Sequence, residues 1–147
     1  GRIDAALSEM ESANRKAITV RINSPGGSVY DALAIVGRLR TSKCRIITEG
    51  YGHVMSASTL ILACGDERKI SNMSWFMTHE ASYSVEGKHT AIKEAVAKAE
   101  REEIKWAKWM EEFSNKDNKF WKKIASERDT YFSPEELLEM GVVDEII

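Results

Sequence analysis

The run Ile18–Ile22 leads directly into an Asn-Ser-Pro-Gly-Gly turn, and an amphipathic helix pattern begins as soon as that turn ends. The run is rich in β-branched residues, which is typical of a strand. After the turn, apolar residues recur at helical spacing from Val29 to Leu39. A strand that passes into a helix through so short a turn is the first half of a β-α-β unit, so this feature favours an α/β fold.

The next part of the chain keeps alternating between strand and helix patterns. Cys44–Thr48 reads as a second strand, and Ser56–Ala63 reads as a short, almost wholly apolar helix that ends at Gly65. Two extended segments and a polar loop or irregular hairpin follow, at Lys69–Ser71, Trp75–His79 and Glu80–Gly87. These segments predict the order β, α, β, α, β.

A long helix is predicted for Thr90–Phe113, which carries Glu and Lys throughout and has its apolar residues on one face. The polar run Ser114–Asn118 breaks this pattern. Asn118 is then predicted to cap a short helix that runs through Ala125.

The C-terminal segment carries the strongest local signal. Ser133-Pro134-Glu135-Glu136 combines a cap, a proline at the first helical position and a glutamate at the third, which predicts a helix with a capping box. Gly141 would end this helix, and Val142–Ile147 returns to strand-like composition. Because a chain of 147 residues shows no repeat, low-complexity tract or linker, we predict a single domain over residues 1–147.

Composition and charge exclude several classes of protein. The formal charge of −2, with basic and acidic residues interleaved, provides no positive field for a phosphate backbone, so nucleic acid is not an expected partner. No apolar run approaches the roughly 20 residues of a spanning helix, and the N-terminus lacks a signal-peptide pattern. We therefore expect a soluble, cytoplasmic protein without a membrane partner.

The two cysteines, Cys44 and Cys64, lie inside apolar stretches. This setting favours buried, reduced thiols over a disulfide framework. A bridge between the two is the minority interpretation.

A candidate nucleophile lies in Gly50–Ser58, which reads as a glycine-containing turn that delivers Ser56 to the start of the apolar helix. A hydroxyl at a helix N-terminus feels the positive end of the backbone dipole, which favours a developing oxyanion. Taken alone, a helix cap is the more frequent role for such a serine. Ser58 lies two residues further on and would point elsewhere, so Ser56 is the preferred candidate.

The glycine turn Asn23–Ser28 is a second candidate element. Paired glycines allow close approaches that a side chain would forbid, so backbone N–H groups there could face a ligand. Most such turns merely reverse the chain, so this turn does not indicate a site by itself.

Three histidines are candidates for a general base. His79 ends a predicted strand, where a side chain can be held rigidly at the rim of a sheet, and it is the preferred base. Its alternative role is to satisfy a buried backbone group. His53 either shapes the pocket of Ser56 or lies in a surface turn, and His89 opens a polar helix where we expect it to be exposed.

A third residue that orients the histidine has to be a carboxylate, and the chain offers many. Asp129 precedes an aromatic pair and the capped helix, a position that predicts partial burial. Most Glu-Arg-Asp runs are solvated ion-pair surfaces, so composition alone does not select this residue.

Five motifs, taken in order, resemble the proteolytic subunit of Clp proteases. They are I-N-S-P-G-G-S (22–28), G-Y-G-H-V-M-S-A-S (50–58), M-T-H (77–79), E-R-D (127–129) and G-V-V-D (141–144). The interval from Gly27 to Ser56 equals that of the family, and a Met-x-His segment with His79 follows at a similar interval. Asp129 precedes the terminal Gly-x-Val-Asp motif by the family's interval. The resemblance covers nearly the whole chain.

The resemblance implies a Ser-His-Asp triad of Ser56, His79 and Asp129. Ser56 would attack a peptide carbonyl to form an acyl-enzyme, with His79 first taking and then returning the proton. The backbone N–H groups of Gly27 and Ala57 would form the oxyanion hole. Polypeptides are the implied substrates, and neither a cofactor nor a metal is implied.

For the fold, the resemblance implies the α/β architecture of Clp proteases and crotonases, with repeated β-β-α units and a projecting long helix. That helical handle, here about residues 88–126, stacks rings of subunits in the family. A homo-oligomer is therefore expected, and its candidate interface residues are Trp106, Trp109, Phe113 and Arg128. An aromatic stripe at helical spacing is as often part of the chain's own core.

The chain also departs from the family. Ser58 replaces a glycine and Glu80-Ala81 replaces Gln-Pro, so the geometry of the substrate groove does not transfer. Thr19 and Arg21 replace aromatic residues that many members use to dock a Clp-type ATPase, so that partner does not transfer either. The chain begins where the family would already have completed its first strand and axial loop, and we expect that segment to be absent.

The leading hypothesis is a serine endopeptidase, and the divergent docking positions make a phage head-maturation protease of the Clp type one specific form of it. One alternative is a catalytically silent scaffold subunit in a mixed ring. Another is an acyl-CoA enzyme of the crotonase type, which uses paired backbone amides on a thioester and needs no serine nucleophile.

Overall fold

A computed structural model, which describes residues 2–147, contains a six-stranded sheet with helices packed against it. The strands are β1 (Ala17–Ser24), β2 (Arg45–Met55), β3 (Glu67–Ile70), β4 (Trp75–Thr78), β5 (Thr130–Phe132) and β6 (Glu145–Ile146). The helices are α1 (Arg2–Ser12), α2 (Val29–Arg40), α3 (Ser58–Ala63), α4 (His89–Glu112), α5 (Asn118–Ala125) and α6 (Pro134–Glu139). The predicted α/β fold is confirmed, and so is the predicted alternation of strands and helices from β1 to β4, whereas α1 and β5 were not predicted.

Strand β2 organises the sheet because it pairs with three other strands. Its residues pair in parallel with β1 along one edge, and with β3 and then β4 along the other. Val54 illustrates this arrangement, since it is paired with both Ser24 and Phe76. β5 continues the sheet antiparallel to β4, and β6 pairs in parallel with β3. Three parallel strands, β1, β2 and β4, therefore end at the same edge of the sheet.

The prediction of a turn beginning at Gly50 was wrong, because β2 continues to Met55. Pairing with β1 and β4 makes this glycine-containing segment part of the strand and overrides the local preference for a turn, although Gly52 within it has φ +58°. The register against β1 advances from Ile22↔Gly50 to Ser24↔Val54, so the glycines produce a bulge within the strand. Gly50 is also needed for space, since a Cβ there would lie 2.9 Å from Val54 Cγ2. The helix that follows begins at Ser58, two residues later than predicted.

Helix α1 was not predicted from the sequence. Only Leu7 of this helix is buried, so its apolar pattern is weak. Leu7 joins the core, and Arg38 of α2 donates hydrogen bonds to Asp4 Oδ1 at 2.7 Å and to Glu11 Oε2 at 2.8 Å, so α1 is held by both apolar and charged contacts. The Arg38 guanidinium lowers the pKa of the Glu11 carboxyl to about 2.

The long helix and the short helix after it pack against each other and against the core. Trp121 of α5 is fully buried and meets Trp106 of α4 edge to face, with ring centroids 5.7 Å apart. The predicted break between the two helices is confirmed, but the cap is Asp117 and not Asn118. Asp117 Oδ1 accepts a hydrogen bond from the Phe120 N–H at 2.8 Å, which the neighbouring residue is not placed to do.

Both cysteines are free and buried, as predicted. Burial raises the pKa of the Cys64 thiol to about 12, so this group stays protonated at neutral pH. Within residues 2–147, no helix combines the length and the apolar composition needed to cross a bilayer.

The C-terminal helix forms the predicted capping box, in which Ser133 and Glu136 each accept a hydrogen bond from the other's backbone N–H. Gly141 ends the helix at φ +67°, a conformation that favours glycine. Asp144 then accepts two hydrogen bonds from the Arg68 guanidinium, at 3.0 and 2.6 Å, and one from the Arg68 N–H at 2.8 Å. Arg68 also donates to Phe113 O at 2.6 Å, so one ion pair ties the end of α4 to the β3–β6 edge.

We predict that Asp144→Asn lowers the free energy of unfolding, because the amide cannot accept both guanidinium hydrogen bonds. Since 42% of the Asp144 side chain is exposed, solvent screening limits the loss to about 1 kcal/mol. The hydrogen bond from Arg68 also holds the pKa of Asp144 below its ordinary value. This contribution is therefore complete above the unfolded-state pKa, near 4, and is lost as the pH falls through the lower folded-state pKa.

Urea unfolding of the two proteins at pH 7 and at pH 3 tests this expectation. The difference in the free energy of unfolding between wild type and Asp144→Asn should be smaller at pH 3, where the wild-type carboxylate is being protonated. If this difference is the same at both pH values, the ion pair is not its source. Glu145→Gln, which alters a more exposed ion pair with Lys69, is a neighbouring control.

Candidate active site

The carboxyl ends of β1, β2 and β4 bring three separate segments of the chain together. β1 leads into the glycine turn, β2 is followed directly by Ser56, and β4 is followed directly by His79. In open parallel sheets, ligands bind at this edge of the sheet. The candidate residues are 23 or more positions apart in sequence and meet only because the strands pair in parallel.

Ser56 occupies a sharp turn between β2 and α3. Its φ is +54°, a region that residues other than glycine rarely adopt. The Ser56 N–H donates a hydrogen bond to Met77 O at 2.7 Å, so β4 holds this backbone conformation in place. Strained turns of this kind, where a strand passes into a helix, expose the side chain of a nucleophile.

His79 faces this serine. Its Nε2 lies 2.8 Å from Ser56 Oγ, and its ring is half-buried at the end of β4. A neutral imidazole at this distance can accept the hydroxyl proton as the oxygen attacks an electrophile. His53 and His89 are exposed and do not line the pocket of Ser56, so His79 is the histidine that the fold brings to the candidate nucleophile.

Asp129 lies beside His79 but is not bonded to it. The register of β4 and β5 pairs Thr78 with Thr130, so the next pair along this register is His79 and Asp129. The two residues line one surface depression together with Glu80 and Arg128. The expected partial burial of Asp129 was wrong: it is exposed because it follows α5 in a surface turn, and it forms no hydrogen bond with His79 within residues 2–147.

The glycine turn lies directly against Ser56. A Cβ on Gly26 would be 2.6 Å from Ser56 Cβ and 2.7 Å from Met55 O, so only glycine fits there. Gly26 also has φ +100°. Sequence reasoning singled out Gly27 and overlooked Gly26, although the paired glycines were a signal for both.

Two backbone N–H groups next to Ser56 are free to bind a ligand. Within residues 2–147, neither the Gly27 N–H nor the Ala57 N–H has a hydrogen-bond acceptor. Unpaired N–H groups beside a nucleophile can stabilise an oxyanion. Ser58, the rival nucleophile, is buried and donates to Ser24 O at 3.1 Å and to Met55 O at 2.7 Å. It therefore ties the glycine turn to the end of β2.

An apolar pocket opens beside Ser56 and His79. Its walls come from α2, α3, α4 and the loop after His79, and they include Val29, Leu33, Leu60 and Trp106. Two acidic residues of α4, Glu102 and Glu103, also line it. Sequence reasoning missed these two because acidic residues occur all along the helix. Within residues 2–147, no group of three His, Cys, Asp or Glu side chains could hold a metal ion.

The four residues predicted to form a subunit interface differ in how far they are exposed. Trp106, Trp109 and Phe113 are half-buried against the chain's own core, whereas Arg128 is exposed. The large apolar residues that α4 exposes are Ile92, Val96 and Ile104. The interface itself stays a prediction.

We predict that Gly26→Ala displaces Ser56 and reduces its reactivity toward a fluorophosphonate by on the order of 100-fold, since a shift of about 1 Å is enough for such a loss. The reaction rate is measured by mass spectrometry of the labelled peptide. Gly37→Ala is the matched control, because a Cβ at this position in α2 would meet no heavy atom within 4 Å. Equal labelling of both variants would show that Gly26 does not position Ser56.

Comparison with known proteins identifies a family for the whole of the described chain. The profile of the Clp protease family matches residues 2–147. The ATP-dependent Clp protease proteolytic subunit 1 of Prochlorococcus marinus is 33% identical over 153 aligned residues, which cover 99% of this chain and 76% of that protein. The proteolytic subunit of Deinococcus radiodurans is 33% identical, with 99% and 72% covered, and subunit 2 of Treponema denticola is 30% identical, with 99% and 78% covered.

These matches agree with the architecture, which is that of a Clp-protease-like α/β fold. They also support peptidase activity, the function of the family. The sequence identity is modest, but the match extends over almost every residue of the chain. This chain belongs to the Clp protease family.

Proposed function

We propose that this protein is a serine endopeptidase that cleaves polypeptides through an acyl-enzyme on Ser56. The observation that carries the proposal is the 2.8 Å contact between His79 Nε2 and Ser56 Oγ at a strained turn. Family membership independently favours a peptidase.

In the acylation step, Ser56 Oγ attacks the scissile carbonyl carbon while His79 Nε2 takes the hydroxyl proton. The carbonyl oxygen becomes an oxyanion, which the N–H groups of Gly27 and Ala57 stabilise. As the C–N bond breaks, His79 gives its proton to the leaving amine and the acyl group stays on Ser56. Water then attacks this ester with His79 again as base, which releases the carboxylic acid and restores the serine.

Asp129 is proposed to orient His79 through the Nδ1 side of the ring. Two observations support this role. The strand register makes His79 and Asp129 the next pair after Thr78 and Thr130, and both residues line the same surface depression. We propose that the contact tightens when subunits assemble, because Asp129 follows an exposed turn and its neighbour Arg128 is also exposed. Members of this family act as rings, and a homo-oligomer is proposed for this chain.

An ATPase partner is not part of the proposal. The relatives are named as subunits of ATP-dependent proteases. In this chain, however, Thr19 and Arg21 are exposed, and Arg21 forms an ion pair with Glu49 at 3.1 Å. This surface is polar at the positions where many family members have aromatic docking residues.

Two alternatives explain less of the site. If the protein were a catalytically silent scaffold subunit, the contact between Ser56 and His79 would have no role. An acyl-CoA enzyme of the crotonase type would use the paired N–H groups of Gly27 and Ala57, but it would also leave that contact without a role.

We predict that a fluorophosphonate labels Ser56 of the assembled protein, as located by peptide mapping. Ser56→Ala should abolish labelling, and His79→Ala should slow it by on the order of 1,000-fold or more, because the serine then lacks its base. His89→Ala removes an exposed histidine and should label at the wild-type rate. Absence of labelling at every pH from 6 to 9 in protein shown to be assembled would exclude the proposed peptidase.

The role of Asp129 is tested separately. If Asp129 orients His79 in the assembly, Asp129→Asn should reduce peptide cleavage on the order of 10,000-fold, because the amide favours the wrong tautomer. The assembly state is measured in parallel by analytical ultracentrifugation. A loss of less than about 10-fold in an intact assembly would assign the orienting role to another group.

A further inference from the structure

The pocket beside Ser56 combines apolar walls with a carboxylate that has no partner among residues 2–147. Glu102 and Glu103 both line it, but their surroundings differ. Glu102 accepts hydrogen bonds from the hydroxyl groups of Tyr30 at 2.8 Å and Tyr83 at 3.1 Å, and Lys98 lies 4.0 Å away. The carboxylate of Glu102 is therefore already occupied within the protein.

Glu103 is half-buried, and within residues 2–147 it accepts no hydrogen bond and forms no ion pair. Burial, followed by the negative charges of Glu80 and Glu100, raises its pKa. A partly buried carboxylate without a partner is unfavourable, and a cation beside it would relieve both the burial and the repulsion.

A second polar group in the pocket also lacks a partner. Thr78 lines the pocket and is 2% exposed, and its Oγ1 is buried without a hydrogen-bond partner in the part of the chain described. Buried hydroxyl groups are nearly always hydrogen-bonded, so this oxygen is an unmatched polar atom in the wall of the pocket.

The apolar walls of the pocket suit the methylene stem of a long basic side chain. Lysine and arginine bury their methylene stems on apolar surface while their charged ends reach polar groups. Here Leu33 and Leu60 offer apolar contact for the stem, and Trp106 adds an aromatic side chain to the same wall.

We propose that this pocket selects a basic side chain, lysine or arginine, on the substrate residue whose carbonyl Ser56 attacks, and that Glu103 is the residue that recognises its charge. The inference rests on the proposed peptidase function and adds the class of substrate to it.

The test compares peptides that are identical except for lysine, leucine or glutamate at the residue that supplies the scissile carbonyl. The wild-type protein should cleave the lysine peptide most efficiently by kcat/KM. Glu103→Gln should lower kcat/KM for the lysine peptide by on the order of 10- to 100-fold, which is the loss expected for a charge-assisted hydrogen bond. The same substitution should change kcat/KM for the leucine peptide by less than about 2-fold. Glu94→Gln removes the same charge from an exposed position of the same helix and should change neither.

Peptidyl phosphonates with the same three side chains separate this inference from the proposed function, because they report covalent modification of Ser56 directly. If the leucine probe labels Ser56 as fast as the lysine probe does, the proposed selectivity is wrong, but the proposed serine peptidase function is still supported. If Glu103→Gln lowers kcat/KM equally for the lysine and leucine peptides, the proposed selectivity is also wrong, because Glu103 then has only a structural role. Failure of all three probes to modify Ser56 would overturn both.

Discussion

The parallel pairing of β2 with β1 on one edge and with β4 on the other is the constraint on which the candidate site depends. It ends three strands at one edge of the sheet, so that the glycine turn, Ser56 and His79 meet. The same pairing lets Met77 O accept the Ser56 N–H at 2.7 Å, which holds the serine at φ +54°. Strain of this kind costs on the order of 1–3 kcal/mol and persists only where the surrounding structure determines it.

The charged side chains of the described residues divide into those that hold elements of the fold together and those that are left available at the site. Arg68 with Asp144 and Arg38 with Glu11 fasten elements to one another, and Glu102 is bound by two tyrosine hydroxyl groups. Glu103, one residue further along α4, faces the pocket and has no such partner in the described part of the chain. Adjacent residues on a helix project about 100° apart, which explains why one glutamate joins the packing of Tyr30 and Tyr83 while the next does not.

Local signals were sufficient where the chain's own neighbours decide the structure. The capping box at Ser133, the end of α6 at Gly141 and the long helix after Gly87 were all predicted, because caps and helical periodicity involve residues a few positions apart. Predictions failed where distant strands override a local preference. Gly50–Met55 has the composition of a turn, yet it is a strand because β1 and β4 pair with it. The burial of Asp129 was misjudged for a related reason, since exposure depends on what packs over a segment.

By itself, the sequence determined the alternation of strands and helices, the preference for Ser56 and His79, and a resemblance that the family profile confirms over residues 2–147. Asp129 was indicated only through that resemblance, and it remains a proposal. Tertiary structure alone decided that His79 Nε2 lies 2.8 Å from Ser56 Oγ, that Gly26 has no room for a side chain, and that Glu103 lines the pocket. The reason is physical: hydrogen bonds between parallel strands and packing between helices join residues that are far apart in the chain, and no local pattern encodes their distances.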